Sequence, residues 1–473
     1  MNRITKNLYS ILAICLLMSM MSCKKWLDIQ PEDKFTEKQI FSNLEGISDA
    51  INSVYIDMGK TKLYGAALTS TTLEILAQRY NVSGTHVLTK YQSYDYENKE
   101  VKAALDEIWT KSYINVVNLN KFITNLDVYS GVLDGKTDSI FRGEAYGLRA
   151  FLQFDLLRMY GPNYNTADST KISIPYYTKA GTEIGDLLPA NVVMQKIIAD
   201  LQTAEALLGN DPMRKSGITS SAEQGFLNLR NYRMNYFAVK GLQARVNMYR
   251  GDRVTASAAA KVVINNAAKF PWITPEKILT DKLDPDRVFS TEILFGLQSL
   301  DLYDNYRTYF APDVEDRNVL APLDARLKTV FENNENDYRY NPNWILTGIA
   351  GKSYKTFFKY ADIANKKLIY RFTMPLLRLS EMYLIAAESD QNVSYLNTLR
   401  NKRGLLDLPG TAVLLTELQK EYQKEFFGEG QLWFYYKRRN ITSVPNPLVA
   451  NGNLTISLTR YVFPLPLSEL NPR

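Results

Sequence analysis

The sequence predicts an all-α protein built of antiparallel helix pairs, with one long loop-rich part carrying minor β-structure. Apolar residues recur at spacings of three and four over long stretches, Gly and Pro end those stretches, and alternating strand patterns are few. The chain has 473 residues, 45% of them hydrophobic and 22% charged, so it holds ample material for a large core and is not a multi-span membrane protein. Length alone would favour two or three domains. Helical repeat folds run longer as one body, so a single domain is expected over 23–473.

The N-terminus reads as an export signal over 1–22. Arg3 and Lys6 precede an apolar run at 8–21, too short to span a bilayer of ~20 helical residues, and a small residue, Ser22, follows. A retained membrane anchor is the weaker alternative. Cys15 and Cys23 are the two cysteines of the chain. Cys15 leaves with the signal, which leaves Cys23 as a lone thiol that no internal disulfide can consume. The Ser22-Cys23 junction resembles a bacterial lipoprotein signal, which implies lipid attachment at Cys23. Several acyl chains at ~0.8 kcal/mol per buried methylene anchor a protein stably where one chain would not.

The helical scaffold is expected over about 36–268 and 373–440. Leu105, Trp109, Ser112, Val116, Leu119, Ile123 and Leu126 mark one continuous helix face. Ala145, Leu148, Leu152, Leu156 and Met159 mark a second, which stops at Gly161-Pro162. Ile197, Leu201, Ala204 and Leu208 mark a third. At 236–268 two stripes, Ala238, Leu242, Val246, Tyr249 and Ala256, Ala260, Val263, Ala267, flank Gly251-Asp252, a break followed by a helix cap. Two such helices meeting on alanines resemble a tetratricopeptide-type pair. Leu376, Leu379, Tyr383 and Ala386 followed by Leu396 and Leu399 suggest another, and 105–126 with 142–160 a third; no strict repeat period is visible. Between about 270 and 372 the texture turns to Pro, Asn, Asp, Gly and aromatics, with a short strand at Ile293–Leu297, and a smaller loop-rich stretch covers 81–99.

Charge excludes one class of partner. The net charge of +6 falls to +4 once Arg3 and Lys6 leave, and basic residues alternate with acidic ones, unlike a nucleic-acid binder. The densest basic run, Lys437-Arg438-Arg439, reads as a helix end rather than a phosphate-binding patch. The single histidine, His86, lies in a polar loop and cannot by itself build a zinc site or a triad. No Gly-rich phosphate loop is present. No catalytic residue and no metal ligand is therefore assigned, and no cofactor is expected, with a structural calcium ion held by Asn and Asp loops left open. Glu381 and Glu388 share a helical face, and pairing with Arg378 or Arg403 is expected of them.

Binding is better supported. The chain holds 31 Tyr and 5 Trp. Sugar rings pack their C–H faces on aromatic planes while their hydroxyls bond to Asn, Asp, Gln and Arg. Two places offer that mixture: Arg79, Tyr80, Tyr91, Gln92, Tyr94, Tyr96 and Asn98 in the early loop, and Trp272, Tyr303, Asn305, Tyr306, Tyr309, Tyr338, Tyr340 and Trp344 in the loop-rich segment. Trp109 and Trp433 are expected in the core.

Several landmarks, taken in order, resemble the SusD/RagB family of nutrient-binding lipoproteins. They are Cys23-Lys-Lys-Trp-Leu-Asp-Ile-Gln-Pro31, Gly143-Glu-Ala-Tyr-Gly-Leu-Arg-Ala-Phe-Leu-Gln-Phe154, Ala199-Asp-Leu-Gln-Thr-Ala-Glu205, Gly251-Asp252, Leu377-Arg-Leu-Ser-Glu-Met-Tyr-Leu-Ile-Ala-Ala-Glu388, Leu399-Arg-Asn-Lys-Arg-Gly404, the run 425–437 and Phe463-Pro-Leu-Pro466. The resemblance implies a SusD-like fold with about four tetratricopeptide-like pairs packed against an irregular ligand-binding half. It also implies a lipid-anchored protein of the outer membrane facing the exterior, which binds oligosaccharide and delivers it to a SusC-like TonB-dependent barrel. In the family, ligand aromatics come from an early loop and from the variable segment, in keeping with both places above. A peptide-binding RagB-like role, and less so a surface glycoside hydrolase, are the alternatives.

Overall fold

The structure is a computed structural model and describes residues 36–165, 167–181, 183–220 and 222–471. The expected signal at 1–22 and Cys23 lie outside the described residues.

The longer helices, labelled here in chain order, are α1 (Leu44–Met58), α2 (Lys99–Val128), α3 (Gly135–Tyr160), α4 (Ala190–Leu207), α5 (Tyr236–Tyr249), α6 (Arg253–Ile264), α7 (Leu302–Tyr309), α8 (Leu379–Asp390), α9 (Val393–Asn401), α10 (Leu414–Glu425) and α11 (Gln431–Arg438). Their starts follow from capping chemistry. Asn98 accepts from the N–H groups of Glu100 and Val101 at 3.1 and 3.2 Å, and Asp134 accepts from Lys136 and Thr137 at 3.0 Å each. Gly161 ends α3 at the expected place. At the α5–α6 turn Gly251 adopts φ 86°, and Asp252 accepts from the Thr255 N–H at 3.0 Å.

The apolar stripes read from the sequence face inward, except that α6 ends at Ile264 and Ala267 lies half-buried in the turn beyond it. The seven α2 positions from Leu105 to Leu126 are all buried, and so are the five of α3. The helices stack in sequence order: α2 on α3, α3 on α4, α4 on α5, α5 on α6, α6 on α8, and α8 on α9. One feature differs from the expected helix pair at 376–399. Leu376 lies in a strand at Thr373–Arg378, which pairs antiparallel with Ile293–Gln298, Leu297 opposite Met374. The helix starts only at Leu379. A six-residue run buried throughout carries no periodicity that separates strand from helix. Two further short antiparallel pairs join Trp344–Ile345 to Thr356–Phe357 and Ser443–Pro445 to Asn453–Thr455.

A buried ionic cluster fastens the loop-rich segment to the helices. Glu425 on α10 accepts from Arg378, Arg403 and Arg339; Arg403 also reaches Glu292 at 2.6 Å, and Arg339 reaches Glu421 at 2.8 Å. Arg378 and Arg403 are thus occupied by Glu425, Glu429 and Glu292 rather than by the expected partners on α8. Glu381 instead takes Arg245, with contacts of 2.7 and 2.6 Å, and Glu388 takes Arg438, at 2.8 and 2.7 Å. The basic run at 437–439 is the end of α11, as read from the sequence. Lys437 is buried and donates to the carbonyls of Arg158 and Gly161, both at 2.7 Å. Those are carbonyls at the end of α3 that the helix itself leaves unpaired.

Candidate functional site

The loop-rich segment meets the chain at 61–65 on α7 and the early loop just beyond α7, at 318–321. Asn305 donates to the Gly65 carbonyl at 3.2 Å, and Thr61 donates to Asn305 and Asp301 at 3.2 and 3.3 Å. The Asn81 N–H bonds the Ala321 carbonyl at 2.9 Å. His86 spans the same seam. One ring nitrogen accepts from the Leu88 N–H at 2.9 Å, so the other donates to the Asn318 carbonyl at 3.0 Å. Burial lowers its pKa, which keeps the ring neutral in this geometry. It is a structural clasp with both nitrogens used.

Most of the aromatics that the sequence offered as ligand contacts are packing residues. Tyr80 is 0% exposed, its ring against Phe310 and Phe427 and its hydroxyl donated to the Ser70 carbonyl at 2.9 Å. Tyr94 and Tyr96 spend their hydroxyls on the carbonyls of Leu76 and Arg460, at 2.7 and 2.6 Å. Tyr91 is buried beside Thr72, and desolvation pushes its phenol up to about 12. Arg79 is buried with its guanidinium 3.7 Å over the Phe427 ring, 3.3 Å from Glu74, and donating to the Gln423 carbonyl. Gln92 donates to the Tyr80 carbonyl at 2.7 Å, and Asn98 is the α2 cap.

In the loop-rich segment Trp344 is 1% exposed between Phe357 and Phe427, each 4.7 Å away between ring centres. Tyr340 is buried against Phe331. Tyr338 packs on the small apolar cluster of Ile273, Ile278 and Phe289. Trp272, half-buried, stands on Tyr383 of α8 and under Arg403. Burial therefore removes Tyr80, Tyr91, Tyr94, Tyr96, Tyr340 and Trp344 from the ligand surface that the sequence suggested for them.

Four of the aromatics stay half-buried, Trp272, Tyr338, Tyr303 and Tyr309, and the last two share one helix, α7. Tyr303, Tyr306 and Tyr309 follow at i, i+3 and i+6 along one side of it, about 9 Å from first to last at 1.5 Å per residue. Tyr306 is the buried middle, its ring nearly parallel to that of Tyr303 at 6.2 Å and against Phe358 at 6.0 Å. Tyr303 and Tyr309 are half-buried, so each keeps part of its ring in solvent on a firm backing. Charged pairs lie on α7 and on the chain beside it, with Lys62 within electrostatic reach of the Tyr309 phenol. Lys60 pairs with Asp301 at 4.0 Å, Lys62 with Glu107 at 3.1 Å, and Arg307 with Asp313 at 3.5 Å. Arg371, held by Asp362 and over the Phe372 ring, is within electrostatic reach of the Tyr303 phenol. The sequence reading missed these charged neighbours, because isolated Lys and Asp in loops carry no pattern.

Half-exposed aromatic rings with charged pairs close by suit a ligand with an apolar face and a polar rim. Among the described residues no group of three or more His, Cys, Asp or Glu side chains is placed to hold a metal ion. No helix of the described residues is long and apolar enough to cross a membrane.

Residues 25–229 match a family model described as starch-binding associating with outer membrane, and residues 309–471 match the SusD family model. The stretch between them, 230–308, holds α7 up to Thr308, and Tyr309 is the first residue of the second match. SusD-like protein P2 of Formosa agariphila is 24% identical over 540 aligned positions, covering 98% of this chain and 97% of that protein; SusD-like protein P38 of the same organism is 22% identical, covering 96% and 94%. Among solved structures, a SusD superfamily protein from Bacteroides thetaiotaomicron superposes with a TM-score of 0.71 at 18% identity, covering 91% of this chain and 98% of the other. Surface glycan-binding protein A from the same species, in complex with laminarihexaose, superposes with a TM-score of 0.68 at 18% identity and the same coverage. The two family matches lie in chain order on the two halves of one helical fold, and with them this chain takes its place in the SusD-like family, whose members are outer-membrane-associated carbohydrate-binding proteins.

Proposed function

We propose that this protein binds an oligosaccharide at the cell surface on the Tyr303–Tyr309 face of α7 and delivers it to a SusC-like TonB-dependent barrel in the outer membrane, held there by lipid on Cys23. The observation that carries the binding site is the pair of half-exposed tyrosine rings on α7, backed by a buried third, with charged pairs on the helix and beside it. Family membership supports glycan as the cargo, as does the fold neighbour that holds laminarihexaose. The signal-like sequence ending in Ser22-Cys23 supports the anchor. The protein's part is capture and hand-over, and no bond of the glycan is broken in this role.

Affinity electrophoresis against a polysaccharide panel, laminarin among them, tests the cargo. Retardation in at least one glycan gel is expected, and binding of peptides alone would replace the glycan reading with a peptide one. Calorimetry with an oligosaccharide of the retained polymer then tests the face. The Y303A/Y309A variant is expected to lose about tenfold or more in affinity, on the order of 1.4 kcal/mol, and unchanged affinity removes α7 from the site. Mass spectrometry of the native protein tests the anchor, with diacylglycerol on Cys23 as the expected result.

A further inference from the structure

A second cleft, of about 700 Å³, opens where the α5–α6 turn meets the end of α11. It shares no element with the α7 face. Four arginines line it: Arg250 and Arg253 from the turn, Arg438 and Arg439 from α11 and its cap. Two carboxylates stand against them. Glu388, wholly buried, takes both arms of Arg438 and one longer contact of 3.4 Å from Arg439. Asp252 takes Arg250 at 2.5 Å. The next acids outward are already matched, Asp390 by Lys261 and Asp168 by Lys171. Among the described residues, four guanidinium groups thus face two carboxylates, and two positive charges are left without a counter-charge.

Unpartnered buried donors mark the same place. The Nε of Arg439 is buried without an acceptor among the described residues. Tyr249 is 4% exposed, lines the cleft, and its hydroxyl has no partner among the described residues either. Arg253 heads α6, so the positive end of a 12-residue helix adds to the field. The choice of side chain is informative too. All four cations are Arg and none is Lys, and the guanidinium fork matches the paired oxygens of a carboxylate or sulfate where an ammonium offers a single point charge. Beside the arginines lie the Tyr164 and Tyr249 rings, 5.9 Å apart, the first of them half-buried.

We propose that this cleft binds the oxyanion of an acidic sugar, a sulfate ester or a uronate carboxylate, between Arg253 and Arg439, with the sugar ring against Tyr164. The oxyanion stands on the arginines and the unpartnered donors. The sugar that carries it rests on the glycan reading of the protein given above. The protein would then hold two binding places, one for ring faces at α7 and one for negative charge here.

The test is calorimetry of the mature full chain with glucose 6-sulfate, glucuronate, glucose and inorganic sulfate, at low and at raised salt. At least one acidic sugar is expected to bind once per chain and glucose not at the same concentration, with affinity falling as salt rises. R253M/R439M keeps the apolar stems and is expected to weaken binding by about tenfold or more. R253M alone, at an exposed position, is the variant to read if the double one loses its helical circular dichroism. Y303A is expected to leave this binding unchanged, which separates its outcome from that of the α7 face. The proposal is overturned if neither acidic sugar binds, if R253M binds as tightly as the parent, or if a hexaglutamate peptide binds in place of the sugars. Inorganic sulfate binding as tightly as glucose 6-sulfate would overturn the sugar assignment.

Discussion

Trp344 and Tyr303 are both aromatic residues of one loop-rich segment, and burial gives them different work. Trp344 fills the space between Phe357 and Phe427. Truncation to alanine leaves a cavity there, and W344A is expected to lose about 3–5 kcal/mol in urea unfolding. The protein that remains folded should bind oligosaccharide like the parent; selective loss of binding with unchanged stability would return Trp344 to the ligand surface. The sequence located aromatic density correctly but not its exposure. The acceptors that hold Tyr80, Tyr94 and Tyr96 are backbone carbonyls, at Ser70, Leu76 and Arg460, and a carbonyl leaves no mark in a sequence. Asp286 gives a second prediction at this scale. Burial pushes its carboxyl up to about 6, although it accepts from the Ser290 N–H and hydroxyl. A carboxyl raised in the folded state holds its proton more tightly there than in the unfolded chain. Its contribution is therefore full below about pH 4 and is lost as pH rises through about 6, roughly 3 kcal/mol for two units. D286N removes that slope. It should be more stable than the parent at pH 7.5 and gain little at pH 4, and parallel urea midpoints across that range would rule the effect out.

At the scale of elements, the helices were legible because their signals are local. Spacings of three and four, an Asn or Asp cap and a Gly or Pro stop are all written within a few residues; α5 and α6 flank Gly251-Asp252 as read, while α2 and α3 cover 105–126 and 142–160 but start earlier, at Lys99 and Gly135, behind the Asn98 and Asp134 caps. The strand at Thr373–Arg378 was not legible, since its partner at Ile293–Gln298 lies some 80 residues away and its own run is apolar on both faces. Turns test this local logic. Gly251 has φ 86° and open space around a Cβ, so G251A meets only the backbone penalty, about 1 kcal/mol. Gly430, at the head of α11, has φ 70°, and a Cβ there would stand 2.2 Å from the Leu68 carbonyl oxygen. G430A therefore adds a clash with backbone that cannot swing aside. Thermal melts should rank the parent first, G251A a few degrees lower, and G430A clearly lowest. Equal melting of the two variants would mean that the Leu68 strand of chain yields without cost.

At the scale of the molecule, what holds an irregular segment to a helical scaffold is a buried set of charges. Arg339 comes from the loop-rich segment, Arg378 from the strand that follows it and Arg403 from the turn after α9, and they converge on Glu425 of α10. The sequence pointed Arg378 and Arg403 toward Glu381 and Glu388, which are near them in the chain, and not toward Glu425 and Glu292. Only distances between remote positions reveal that Glu425 and Glu292 share Arg403. The arrangement makes a sharp prediction, because removing one partner of a buried pair leaves the other charge unpaired at a cost of about 3–5 kcal/mol. Glu425 keeps Arg378 and Arg339 when Arg403 is lost, whereas among the described residues Glu292 keeps the Ile273 N–H at 3.0 Å as its remaining hydrogen-bond donor. R403M should therefore be strongly destabilised chiefly through Glu292, and E292Q in the same chain should recover part of the loss by removing the orphaned charge. In a double-mutant cycle read by urea unfolding, R403M/E292Q is expected to be more stable than R403M alone. Strict additivity of the two losses would mean that Arg403 acts through Glu425 and that the loop-rich segment is fastened at α10 alone.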